Sequence, residues 1–217
     1  MLLESGFCDP SLNPKTKIFV TMAVGLAWAA SAGLGARALL QYESEPGKVG
    51  RIAPAWPANS TIELAKEMPT LIMFAHPQCP CSRASMDELA QIMARVQGKV
   101  RAYVLFYTPG DSTADWENTG TRRSASQIPG VIVLSDTNGV EAERFGAETS
   151  GHIFLFNASG DLLFNGGITA SRGHSGDNVG ESSIVSLIDK HSASRAQTLV
   201  FGCSFKNKPS VDPKCSK

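Results

Sequence analysis

The stretch TLIMFAHPQCPCSRASMDELAQIMARVQ, residues 70–97, decides the fold. Its first six residues, TLIMFA, form a short apolar run without alternation, the pattern of a strand buried on both faces. Farther on, Met86, Leu89, Ala90, Met93 and Val96 recur three and four apart, which predicts an amphipathic helix ending near Gln97. Cys79 and Cys81 stand between strand and helix. A sulfur there meets unpaired N–H groups and the positive end of the helix dipole, both of which favour thiolate over thiol. Thiolate is the nucleophile of disulfide exchange. The carboxyl end of a buried strand is also where open α/β sheets present their reactive groups. Cys79 is therefore the candidate nucleophile; the plainer reading is a pair of structural cysteines.

Outward from this stretch, VRAYVLFY (100–107) and VIVL (131–134) read as further strands. HIFLF and LLF form a hairpin across Asn157-Ala158-Ser159-Gly160. A short helical turn is expected near 141–145, and a last helix over 180–191 with Ile184, Val185, Leu187 and Ile188 facing inward. Ser60 and Glu63 have capping-box spacing and predict a short helix that Pro69 ends. Residues 111–127 are expected as a loop plus a helix. Strands and helices alternate, so the domain, placed at 60–195, is of the α/β class. No internal repeat is visible.

The chain has 217 residues, enough for one domain with appendages. Lys plus Arg and Asp plus Glu balance at 20 each, so no net field favours nucleic acid, and no nucleic-acid partner is expected. A hydrophobic share of 42% against 18% charged excludes a disordered chain. Five cysteines are too few for a disulfide scaffold and lack the paired spacing of a structural zinc site.

Residues 18–36, IFVTMAVGLAWAASAGLGA, carry no charge and as a helix would span roughly 28 Å, close to a bilayer's hydrocarbon core. A transmembrane anchor is expected over 18–38, after a cytoplasmic tail at 1–17 that keeps Cys8 in a reducing space. A cleaved signal peptide, with Ala30-Ser31-Ala32 as its small-residue site, is the rival reading, and a buried soluble helix the third. The Pro- and Gly-containing residues 39–59 read as an extended tether. A tail at 196–217 holds Cys203 and Cys215. The expected placement is single-pass in a bacterial inner membrane, with the soluble domain in the periplasm.

FAHPQCPCSRASMDEL and DTNGVEAERFGAETSGHIFLFNASGDLLFNGGIT resemble the active-site segment and closing hairpin of membrane-anchored thioredoxin-like proteins of the TlpA type. The likeness covers about residues 68–192. HPxCPCS and RGHxGDN segments, here at His76 and Arg172, are similar to those of the narrower RedB group. The resemblance implies a thioredoxin-like three-layer sandwich, thiol-disulfide oxidoreductase activity, and protein or small-molecule thiols and disulfides as partners, with no cofactor. It puts Cys79 at the first position of the family's CxxC and Ser82 at the second, so the usual resolving thiol is missing. Cys81 is the nearest substitute, although a bond to Cys79 across Pro80 would close a very small, easily reduced ring. The alternative resolving thiol is Cys203 or Cys215, for which a structural disulfide pinning the tail is the leading reading. Gly151 stands where the family has a cis-proline that guides substrate backbone, so peptide-like substrates are not carried over.

The histidines raise a second function. His76 precedes Cys79 by three residues, and His174 follows the last strand in SRGHSGDN. Imidazole with soft thiolates suits Cu(I) or Zn. Copper-delivery proteins with thioredoxin-like folds exist, but their cysteines are spaced more widely and their histidine would fall near Thr149. A copper-binding module using Cys79, Cys81 and a histidine is thus the alternative. A redox-inactive scaffold is the third reading. For His174 a loop hydrogen bond competes with roles as ligand or proton shuttle. Arg83 is either a thiolate partner or a solvated first-turn arginine. GHSGD is not a nucleophile elbow, and the Gly-rich loop lacks a phosphate-binding lysine.

Overall fold

The computed structural model describes residues 13–111, 116, 118–190, 192–193 and 195–205. The chain divides at Tyr42/Glu43 into two compact units. In the first, α1 (Pro14–Ser44) is a helix of 31 residues with no buried residue. It is long and apolar enough to cross a membrane.

In the second unit the elements run β1 (Thr70–Ala75), α2 (Ser82–Arg95), β2 (Arg101–Thr108), α3 (Gly120–Ser126), β3 (Val131–Thr137), α4 (Val140–Phe145), β4 (His152–Phe156), β5 (Leu162–Gly166) and α5 (Val179–Lys190). They build one five-stranded sheet in the order β3-β2-β1-β4-β5. β1, β2 and β3 are mutually parallel, and β4 and β5 are antiparallel to their neighbours. β1 lies at the centre with both faces covered, which is why its sequence is an unbroken apolar run.

The sheet's alternation sends side chains into two cores. On one side Leu71, Met73, Val104, Phe106, Ile153 and Leu155 meet Met86, Leu89 and Ile92 of α2 and Ile184 and Ile188 of α5. On the other, Ile72, Phe74, Leu105, Phe154 and Phe156 meet Ala142 and Phe145 of α4, with Trp56 edge-on to Phe145 and Phe156. This is the three-layer α/β sandwich that the resemblance implied.

Two segments differ from expectation. No helix forms over 60–69. The Ser60 hydroxyl donates to Glu141 at 2.7 Å, and the Thr61 N–H and hydroxyl donate to the same carboxylate at 2.9 Å, so the groups that would cap a helix serve α4 instead. Of the segment read as a tether, residues 39–44 continue α1, and from Gly47 onward the chain lies along the domain. Gly47 N–H bonds Val200 O at 2.8 Å, Gly50 N–H bonds Gly146 O at 3.0 Å, and Ala55 bridges Asp161.

Candidate active site

β1 ends at Ala75, and residues 76–81 turn into α2. Cys79 N–H donates to His76 O at 3.1 Å and Ser82 N–H to Cys79 O at 3.1 Å, which curls the loop so that Cys81 becomes the N-cap of α2. The loop is buttressed by the residues before β4. His76 N–H donates to the Ser150 hydroxyl at 2.8 Å, and Ser82 and Ser150 share a hydroxyl–hydroxyl bond of 2.8 Å. Gly151, at φ +88°, turns its N–H to Phe74 O at 2.8 Å. A side chain would be strained there.

A third cysteine completes the site. Residues 196–199 run beside β5, with Asn165 N–H to Ala196 O and Thr198 N–H to Asn165 O. The chain then crosses to the loop before β4. Ser150 N–H donates to Cys203 O at 2.8 Å, Phe205 N–H donates to Glu148 O at 3.0 Å, and Thr149 and Ser204 form an antiparallel bridge. This seats Cys203 against the other two cysteines. The sulfur atoms of Cys79, Cys81 and Cys203 lie within 4.8 Å of one another, all three as free thiols.

The Cys79 sulfur is an anion site. Donation from the Cys203 thiol, and then from the backbone N–H groups of Cys203 and Cys81 and the Ser82 hydroxyl, outweighs burial and lowers its pKa to about 5. Cys203 moves far upward, first because it donates to Cys79 and then through burial. Burial pushes the Cys81 thiol up, followed by the Cys79 charge, while the Arg172 guanidinium opposes. Arg172 is fastened by its side chain to Gly202 O and Glu45 O and by its N–H to Glu43 O. Beside Cys79 opens a cleft of about 290 Å³ lined by Pro77, Gln78, Pro80, Arg83 and Thr121.

The other expected site residues take different places. His76 is stacked on Tyr107 and edge-on to Trp116, and burial lowers its pKa against the pull of the Cys79 charge. His174 is exposed, with Nδ1 2.9 Å from Arg172 O. Neither histidine belongs to the cysteine cluster. The surrounding SGDN residues are structural. Buried Glu88 of α2 accepts from Gly176 N–H at 2.6 Å and from Asn178 Nδ2 at 3.1 Å, and Asn178 caps α5 through Glu181 N–H. Cys8 and Cys215 lie outside the described residues, and so does the expected Cys203–Cys215 bond. Sequence reasoning passed over Ser150, Arg172 as a charge, and His152. His152 is fully buried and stacked on Phe154, with no hydrogen-bond partner for either ring nitrogen among the described residues.

No protein-family profile and no curated protein matches the sequence. Solved structures do. A conserved protein of Geobacillus kaustophilus matches at 20% identity and TM-score 0.54 over 77% of this chain and 96% of its own. A hypothetical protein of Sinorhizobium meliloti 1021 matches at 18% identity and TM-score 0.55 over 77% and 98%. A secreted disulfide oxidoreductase of Mycobacterium tuberculosis, homologous to DsbE of E. coli, matches at 19% identity and TM-score 0.37 over 46% and 68%. With three parallel strands, an antiparallel hairpin and a covered central strand ending at the cysteine loop, the unit from Glu43 onward has a thioredoxin-like fold.

Proposed function

We propose that this chain is a membrane-anchored thiol-disulfide exchange protein in which Cys79 attacks and the tail cysteine Cys203 resolves. The observation that carries the reading is the cluster itself: Cys79 receives its main thiolate-stabilising bond from Cys203, and both sulfurs lie within one 4.8 Å group. The Cys79 thiolate attacks one sulfur of a partner disulfide, and the other sulfur leaves as thiolate and takes a proton from water. Once Cys79 is covalently bound, Cys203 no longer has an anion to donate to, and the Arg172 charge remains close. The Cys203 proton is then lost more easily. Its thiolate attacks Cys79 Sγ, closes a Cys79–Cys203 bond and releases the reduced partner. The anchor is α1, and the domain faces the periplasm of a bacterial inner membrane.

The expected results are specific. Cys79→Ser abolishes insulin reduction and mixed-disulfide trapping, Cys203→Ser traps the mixed disulfide, and mass mapping after mild oxidation finds Cys79 joined to Cys203. Activity unchanged in Cys79→Ser overturns the reading. A Cys79–Cys81 bond instead transfers the resolving role to Cys81.

One observation favours a second reading. Three thiols, two of them buried, form a soft donor set of the kind that holds Cu(I). In that reading the reduced chain binds one Cu(I), with the three sulfurs as ligands and no histidine, and replacing any one cysteine weakens binding. No Cu(I) retained by the reduced chain removes it.

A further inference from the structure

Residues 201–205, Phe-Gly-Cys-Ser-Phe, are held by main-chain hydrogen bonds and by the buried rings of Phe201 and Phe205. The Cys203 carbonyl accepts from Ser150 N–H at 2.8 Å and Phe205 N–H donates to Glu148 O at 3.0 Å, the two bonds of one antiparallel bridge between Thr149 and Ser204. The Arg172 guanidinium holds the Gly202 carbonyl. Any extended polypeptide can supply these groups, and this is how strand addition binds peptides without regard to most side chains.

Two side-chain positions are particular. A Cβ on Gly202 would collide with the Ser150 carbonyl oxygen, so the residue before the cysteine must be glycine. Phe205 is buried to 8% exposure and its ring stacks on Tyr107 at 6.1 Å. Between them the cysteine delivers its sulfur to Cys79.

We infer that residues 201–205 occupy the chain's own substrate seat, and that the partner is an extended polypeptide segment with glycine directly before its reactive cysteine and an aromatic residue two positions after it. The partner segment displaces the chain's own and lies along Glu148–Ser150. Its cysteine, disulfide-bonded to another thiol, meets the Cys79 thiolate. A Cys79–partner bond forms, the partner's second sulfur leaves as thiolate, and that thiolate takes up a proton. The inference rests on the thiol-exchange reading.

The test uses the full chain carrying Cys81→Ser and Cys203→Ser, so that a mixed disulfide at Cys79 persists. Intact mass follows its formation with three probes: the symmetrical disulfide of the peptide Phe-Gly-Cys-Ser-Phe, the same peptide with valine for glycine, and hydroxyethyl disulfide. The glycine peptide is expected to react about tenfold faster than the valine peptide or more, the scale of a backbone clash at a packed position. Adding Gly202→Val, which expels the chain's own segment, is expected to raise the glycine-peptide rate several-fold. Equal rates for the two peptides, or no response to Gly202→Val, overturn the inference if hydroxyethyl disulfide still reacts. Failure of hydroxyethyl disulfide to react at Cys79 overturns the thiol-exchange reading itself.

Discussion

At the scale of single residues, the chemistry of Cys79 is set by donors that surround its sulfur. Alkylation of Cys79 by iodoacetamide is expected to rise with pH through a midpoint near 5, while Cys81 reacts only above the ordinary cysteine range. Cys203→Ala removes the largest stabilising cause and moves the Cys79 midpoint upward. His152 works in the opposite sense to a salt-bridged group. Burial holds its pKa down to about 3 against 6.5 for an ordinary histidine, so it folds neutral. Its contribution is fully present above pH 6.5 and is lost as pH falls toward 3, because the unfolded chain then binds a proton that the folded chain refuses. Denaturation between pH 7 and 4 should show His152→Leu losing less stability than the parent, by up to about 1.4 kcal/mol per pH unit. The place of Cys79 at the mouth of α2 was legible from the strand-to-helix pattern. Its main partner was not, because nothing local in GCSF says that the segment returns to the loop before β4.

Among the elements, legibility follows the range of the interactions. β1, β2, the β4–β5 hairpin and α2 were readable because their burial is periodic or continuous along the chain itself. The helix expected at 60–69 failed because the Ser60 hydroxyl bonds a carboxylate 81 residues away, a choice that capping spacing cannot reveal. The SGDN segment drew attention as a ligand loop, yet its polar groups fix α2 to α5 through Glu88 and Asn178. Asn178→Ala therefore loses both the cap of α5 and a bond to a buried carboxylate. It should cost about 1–2 kcal/mol in urea denaturation. Cys79 alkylation kinetics should stay as in the parent, since neither Glu88 nor Asn178 contributes to Cys79 ionisation.

For the whole molecule, the division at Tyr42/Glu43 separates a helix long enough to cross a membrane from a unit with two cores of its own. If α1 is an uncleaved anchor, the full chain stays with membranes through carbonate washing and leaves them only in detergent. Intact mass beginning after Ala32 would instead identify a cleaved signal. The cysteine count takes on a different meaning in the structure. Three of the five cysteines form one cluster whose members come from the loop after β1 and from the tail.

The tail also has a consequence for solubility. β5 is the last strand of the sheet, and such a row of unpaired backbone groups invites a second chain to add on. Residues 196–199 cover it through Asn165 and Gly167 before the chain ever reaches the cysteines. A partner that lifts residues 201–205 leaves this cover in place, whereas a protease cutting before Gln197 would strip it. The clipped protein is then expected to self-associate edge to edge, turning the domain into an aggregation seed that light scattering would register.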